Sequence, residues 1–176
     1  MAAYRATRQL RSTDFDVYGH LNQAAYHEVL EDARLGFLLS MEGASVAIVV
    51  ARVELDYRRE VPFGTPEVIA EIWVSRVGRS SFQLSQVIRL PGAEPSAAEP
   101  SGDESGGGEL VAGEVAAEGT VTLVAWDGER RGSRPLGDEE RAALERHLVT
   151  PADQPAGPPA EQAAVSSAGA GSLAGD

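Results

Sequence analysis

Between residues 11 and 37 the chain carries two patterns end to end, and together they leave few folds open. The first is polar and turn-forming: Arg11-Ser-Thr-Asp14-Phe-Asp16-Val-Tyr-Gly19-His20-Leu-Asn22-Gln23. The second is amphipathic, with Val29, Leu30, Ala33 and Phe37 at helical spacing. Glu28, Glu31, Asp32 and Arg34 lie mostly beside or opposite that apolar stripe, so the helix must rest on something. Asn22 stands where an N-cap belongs, because its side chain can satisfy a free N–H of the first turn. The polar cluster therefore occupies the turn that opens a helix.

That placement has chemical meaning. A helix N-terminus offers unpaired N–H groups and a partial positive charge, which suits a developing oxyanion. An aspartate a few residues upstream can fold back to face the same point. A carboxylate with oxyanion donors is a minimal kit for hydrolysing an activated acyl group. Taken one at a time, Asp14 and Asp16 read as turn formers and His20 as a packed or capping histidine.

The rest of the chain is mostly strand. Residues 3–12 alternate loosely and predict a first strand. Gly36 inside the helix costs about 1 kcal/mol against Ala, so something is expected to approach closely there. Residues 45–61 begin with an apolar run, as in a strand covered on both faces, and end with Val53, Leu55 and Tyr57 alternating against Arg52, Glu54, Asp56 and Arg58. Residues 67–77 place Val68, Ala70, Ile72 and Val74 on one face. Gly78-Arg79-Ser80 is a hairpin connection, and 82–90 returns as a strand. Strand character resumes over 110–126, with Val111, Val115, Val121 and Leu123 expected inward. Residues 138–148 predict a short surface helix with Asp138 as N-cap and Ala142, Leu144 and Leu148 as its apolar set. The expected links between the last four strands are hairpins, which makes one antiparallel sheet of about five strands wrapped around one long central helix, an α+β fold.

Two segments stand apart by composition. Residues 91–109 hold Pro, Gly, Ala, Ser and Glu without aromatic or β-branched residues, and 151–176 are rich in Pro, Ala and Gly. Neither can bury enough apolar surface to offset ordering entropy, so both are expected to be disordered, leaving a domain over 1–150. They also explain the net charge of −12: Glu94, Glu99, Asp103, Glu104, Glu109, Asp153, Glu161 and Asp176 lie there with no base. All fifteen basic residues are arginines outside those segments. Local positive patches for a polyanionic ligand are thus possible, because Arg binds phosphate bidentately. A basic stripe with interleaved aromatics is missing, which argues against a nucleic-acid partner. There is no cysteine, which excludes disulfides, thiolate nucleophiles and cysteine-ligated metals, and no metal or cofactor is expected. No apolar run nears ~20 residues and the start lacks a signal-peptide pattern, so the expectation is a cytoplasmic protein without a membrane segment.

The run Asp14-Phe-Asp16-Val-Tyr-Gly19-His20-Leu-Asn22-Gln23-Ala-Ala-Tyr26, followed by Glu31-Asp32-Ala33-Arg34, resembles the mark of the hotdog-fold acyl-CoA thioesterases, the family of 4-hydroxybenzoyl-CoA thioesterase. Layout agrees over 3–126, and the specific motif spans 11–34; Gln23 departs from the second Asn common there. The resemblance implies hydrolysis of an acyl-CoA thioester to free acid and coenzyme A. It implies Asp16 as nucleophile or general base, with His20 orienting Asp16 or bonding the thioester carbonyl. Asn22 would cap the helix, Gly19 would allow close approach, and the Gln23 backbone N–H would serve the oxyanion. Tyr26 would be pocket wall. Coenzyme A would meet Arg58, Arg59, Arg76 or the turn Gly78-Arg79-Ser80-Ser81. A homodimer or dimer of dimers is implied, with sites at the interface. The alternatives are an acyl-carrier-protein thioesterase, against which the acidic surface argues because carrier proteins are acidic too, and a non-catalytic acyl-CoA-binding module.

Overall fold

Helix α1 (Gln23–Ser40) begins where its cap was expected: Asn22 is extended and its side chain accepts from the Ala24 N–H at 2.9 Å. The computed structural model describes residues 3–43, 47–92 and 112–149. The apolar stripe Ala25, Tyr26, Val29, Leu30, Ala33, Phe37 and Leu38 is buried. Each large member contributes roughly 1.5–3 kcal/mol by leaving water. Gly36 is where the chain comes closest to something: a Cβ there would sit 2.7 Å from the Tyr4 hydroxyl.

The sheet beneath α1 consists of β1 (Tyr4–Gln9), β2 (Ile48–Tyr57), β3 (Glu67–Val77), β4 (Ser81–Pro91) and β5 (Ala112–Asp127), with a two-residue β6 (Gly132–Ser133) appended to β5. The order across the sheet is β1-β3-β4-β5-β2, and every pairing is antiparallel. Helix α1 packs on β3, β1 and β4. Val68, Ala70, Ile72 and Val74 face it, as the alternation in β3 predicted. The opposite face of β3 is buried as well. Trp73 packs with Val87, Val115 and Val149, and Glu71 is held between Arg5 at 2.9 Å and Arg89 at 2.8 Å.

Four expectations need correction. The β2–β3 link is not a hairpin, because β2 lies at the far edge beside β5 and residues 58–66 cross to β3. Nor is the first half of β2 covered on both faces: Val49 is 37% exposed and Val50 50%, since an edge strand away from the helix has little to cover it. In β5 the expected inward set splits, with Val121 and Leu123 in the core under α1 but Val115 in the cluster on the other face. A bulge explains this: Arg89 pairs Val115 while Ile88 pairs Ala117, and the extra residue inverts the side-chain alternation. The short helix α2 (Asp138–Arg146) is capped by Gly137, whose N–H donates to the Glu140 carboxylate at 2.8 Å. Its buried residues are Ala143 and Leu144, while Ala142 and Leu148 are exposed. The expected disordered segments 91–109 and 151–176 fall almost wholly outside the described residues, as do Leu110 and Val111. No helix among the described residues is long and apolar enough to cross a membrane.

Candidate active site

The loop between β1 and α1 is a small hairpin held at many points. It starts with a 3-10 turn, Ser12–Asp14, whose last residue is buried. The Asp14 carboxylate accepts from the Arg11 N–H at 2.8 Å and from the Arg11 guanidinium at 3.0 and 3.2 Å. Burial alone would raise the Asp14 pKa. The Arg11 backbone bond, the guanidinium and the charge of Arg8 outweigh it and hold the carboxyl below the ordinary carboxylate range. The Asp14 carbonyl meanwhile accepts from the Asn22 N–H at 2.8 Å, which sets the entry of α1.

Between those anchors the chain folds back on itself. Phe15 and Leu21 form an antiparallel bridge, and the Asp16 N–H donates to the His20 carbonyl at 2.8 Å. Gly19, at φ +82°, makes the reversal possible, with its N–H on the Asp16 carbonyl at 3.1 Å. One oxygen of the Asp16 carboxylate accepts from the N–H groups of Tyr18 at 2.9 Å and His20 at 3.1 Å. The turn-forming role therefore occupies Oδ1, and no described residue hydrogen-bonds Oδ2. The hairpin brings Asp16 level with His20, three residues before Gln23, and Gln23 starts α1 with an N–H that no described residue accepts.

The crossover from β2 to β3 pins this hairpin from outside. The Leu21 N–H donates to the Val61 carbonyl at 2.9 Å, the Phe63 N–H to the Gly19 carbonyl at 2.7 Å, and His20 bridges Pro62. The Phe15 and Phe63 rings meet edge-on at 5.2 Å. His20 Nε2 lies 3.0 Å from the Glu60 carboxylate, so in this geometry its imidazole faces Glu60 rather than Asp16. Tyr26 lies beneath, buried, edge-on to Tyr57 at 5.1 Å. Burial pushes its hydroxyl above the ordinary value, against a hydrogen bond with the Val61 backbone. Glu60, Val61 and Phe63 belong to this site and escaped the sequence reading. Their segment shows no periodicity, and only the crossover topology brings it to residues 15–21.

Asp16, Gly19, His20, Asn22, Gln23 and Tyr26 are thus gathered at one end of the sheet. Arg58 and Arg59 share that end: their N–H groups donate to the Ala116 carbonyl at 2.8 and 3.0 Å. Both side chains are engaged, Arg58 with Glu118 at 2.8 Å and Asp56 at 3.2 Å, Arg59 with Glu114. Arg76, Gly78, Arg79, Ser80 and Ser81 are not brought to Asp16 within the chain. They lie at the other end of β3, about 33 Å along the strand from the edge that adjoins the hairpin. There Arg76, Gly78, Ser81, Phe82, Gln83 and Thr122 line a depression of about 160 Å³. Among the described residues no cluster of His, Asp and Glu has the arrangement of a metal site.

A carboxylate at a tight turn leading into a helix whose first N–H, that of Gln23, no described residue accepts, on an antiparallel sheet wrapped around that helix, can be compared with known proteins. The family model described as the thioesterase-like superfamily matches residues 10–164. The chain belongs to that superfamily. Its members' chemistry makes it a thioester hydrolase of the hotdog fold. The long-chain acyl-CoA thioesterase FadM of Escherichia coli is 30% identical over 144 residues, covering 78% of this chain and 94% of that protein. The solved structure of YbaW, a probable thioesterase from Escherichia coli, is similar at 26% identity and a TM-score of 0.63, over 83% of this chain and 99% of that one. A thioesterase from Thermus thermophilus, solved with coenzyme A and Zn, is similar at 26% identity and a TM-score of 0.61, over 81% of this chain and 91% of that one.

Proposed function

We propose that this thioesterase hydrolyses acyl-CoA to free acid and coenzyme A, with Asp16 as nucleophile or general base and the Gln23 N–H in the oxyanion hole. The observation that carries this is the pairing of a fixed carboxylate with an open helix start. Oδ1 of Asp16 is tied to two backbone N–H groups, which orient the carboxylate, while Oδ2 stays open to water or a thioester carbon. Such preorganisation lowers the barrier because the donors need not reorient as charge develops. His20, turned to Glu60, acts by holding the turn's shape and charge. Release of free thiol from a panel of acyl-CoAs tests the proposal, starting with the long-chain class for which FadM is named. No release from any member would overturn it.

The coenzyme A arm of the proposal calls for a second subunit. In one chain the arginines nearest Asp16 are already paired with acids, and the exposed Arg76 and Arg79 lie at the far end of the sheet. Edge strand β2 presents Val50, Val53 and Tyr57 at 50%, 39% and 46% exposure. An open apolar edge favours pairing with another strand. Antiparallel pairing of β2 with the same strand of a second copy reverses the neighbour's sheet. It then sets the neighbour's Gly78–Ser81 end beside this chain's Asp16 end. The site is therefore completed by a homodimer, alone or doubled into a dimer of dimers.

A further inference from the structure

Two β-turns meet at the tip of the site. Asp16-Val17-Tyr18-Gly19 closes with the Gly19 N–H on the Asp16 carbonyl at 3.1 Å, and Pro62-Phe63-Gly64-Thr65 with the Thr65 N–H on the Pro62 carbonyl at 3.1 Å. The Phe63 N–H, 2.7 Å from the Gly19 carbonyl, ties one turn to the other. Turn centres favour Gly, Asn, Asp and Ser, which suit the bent backbone and the water around it. Here three of the four central positions hold Val17, Tyr18 and Phe63, which are 94%, 81% and 62% exposed. Neither turn needs those side chains. The closing bonds are backbone bonds, and the positive φ angles fall on Gly19 at +82° and Gly64 at +91°. Apolar residues scattered singly over a surface need no explanation, but three joined on one tip do. The tip is also held in place: the Thr65 hydroxyl donates to the Pro62 carbonyl at 2.8 Å, and the Phe63 ring stands edge-on to half-buried Phe15.

We propose that Val17, Tyr18 and Phe63 form an apolar lip that holds the acyl chain of the substrate and sets a preference for long chains. The inference rests on the acyl-CoA reading above and adds which residues select among acyl groups. Position favours it, because the Tyr18 N–H donates to Oδ1 of Asp16 at 2.9 Å and the lip starts beside the open Oδ2. A thioester sends two arms from its reacting carbon, an apolar chain and a sulfur arm that ends in phosphates. The charges around the lip decide between them. Asp16 and Glu60 are the acids here, neither turn contains an arginine, and Arg58 and Arg59 at the same end of the sheet are engaged with acids. Phosphates are repelled by such a rim, as is an anionic lipid surface. Methylene groups carry no charge and gain by leaving water against Val17, Tyr18 and Phe63. A lip already fixed by backbone bonds costs little further ordering when a chain settles on it.

Thiol release from butanoyl-CoA and hexadecanoyl-CoA tests the lip, with the longer substrate kept below its critical micelle concentration. The quantity read is the ratio of kcat/KM for the long chain to that for the short one. Tyr18→Ser should lower this ratio about tenfold and Val17→Ser about threefold, both through KM, because each uncovers methylenes of the long chain alone. Tyr18→Phe keeps the ring and should keep the parent's ratio. A ratio unchanged in both serine variants would overturn the inference. Equal rises in KM at both chain lengths would also overturn it, giving the lip to the pantetheine arm. So would a changed sedimentation coefficient in Tyr18→Ser, which would make the tip a contact between subunits. Should Tyr18→Ser lose its circular dichroism, Val17→Ser decides by the same ratio. A parent that releases thiol from no acyl-CoA sinks the reading of function and this inference with it, whereas an active parent whose ratio is indifferent to the lip sinks only the inference.

Discussion

Asp14 and Asp16 are separated by one residue and do different work. Asp14 is buried and saturated by Arg11, while Asp16 gives one oxygen to its turn and keeps the other open. The spacing of the two acids was legible in the sequence; their division of labour was not, because it depends on Arg11 folding back over a 3-10 turn. The difference has a pH signature. The Asp14 carboxyl is held below its ordinary value, so the folded protein takes up that proton later than the unfolded chain. Its stabilisation is fully present above about pH 4 and is lost as pH falls through the depressed native value. Asp14→Asn should therefore lower the melting temperature by several degrees at pH 7, with a deficit that shrinks on acidification. A deficit that is constant between pH 7 and pH 3 would contradict this account of the residue. His20→Ala should reduce turnover by less than loss of the Asp16 charge, since its ring faces Glu60.

At the scale of elements, α1 was the most legible part of the chain. Its cap and its stripe are local properties, and Asn22, Val29, Leu30, Ala33 and Phe37 behave as their spacing requires. Gly36 was legible as a close approach but not what approaches, since Tyr4 is 32 residues away in sequence and reaches it only through the β1–β3 pairing. Gly36→Ala alone gains helix propensity but presses on the Tyr4 hydroxyl. Combined with Tyr4→Phe it should raise the melting temperature above that of Tyr4→Phe alone, and above the effect of Gly36→Ala in the parent. Equal effects in the two backgrounds would mean the hydroxyl is not the constraint. Strand β2 was the least legible element. Its apolar run reads like a central strand, whereas it is an edge strand with Val49, Val50, Val53 and Tyr57 exposed.

For the whole molecule, the order β1-β3-β4-β5-β2 has one consequence that alternation cannot show: the crossover from β2 to β3 becomes the outer wall of the hairpin that carries Asp16. Topology of this kind is a long-range property, and no local pattern in residues 58–66 announces it. The dimer proposed on the β2 edge is tested by charge. Val50→Asp, at a half-exposed position, should abolish dimerisation and turnover together, and Ile48→Asp should do the same. An active monomer at assay concentration would contradict the shared site. Segments 91–109 and beyond 150 lie almost entirely outside the described residues. Replacing the first by a short Gly-Ser turn and ending the chain at Thr150 should leave melting temperature and turnover nearly unchanged. A loss of either would show that they contribute to the fold or the site.

The claim on which the rest depends is that the open carboxylate oxygen of Asp16 carries the chemistry. Asp16→Asn keeps the side chain's shape and an oxygen for the Tyr18 and His20 N–H groups, and removes only the charge. The decisive measurement is kcat of Asp16→Asn against the parent, by thiol release from the best acyl-CoA, with circular dichroism to confirm the fold. The account predicts a loss of roughly 10²-fold or more in kcat with the melting temperature little changed. A folded Asp16→Asn protein turning over at the parent rate would contradict it and move the catalytic role to another residue.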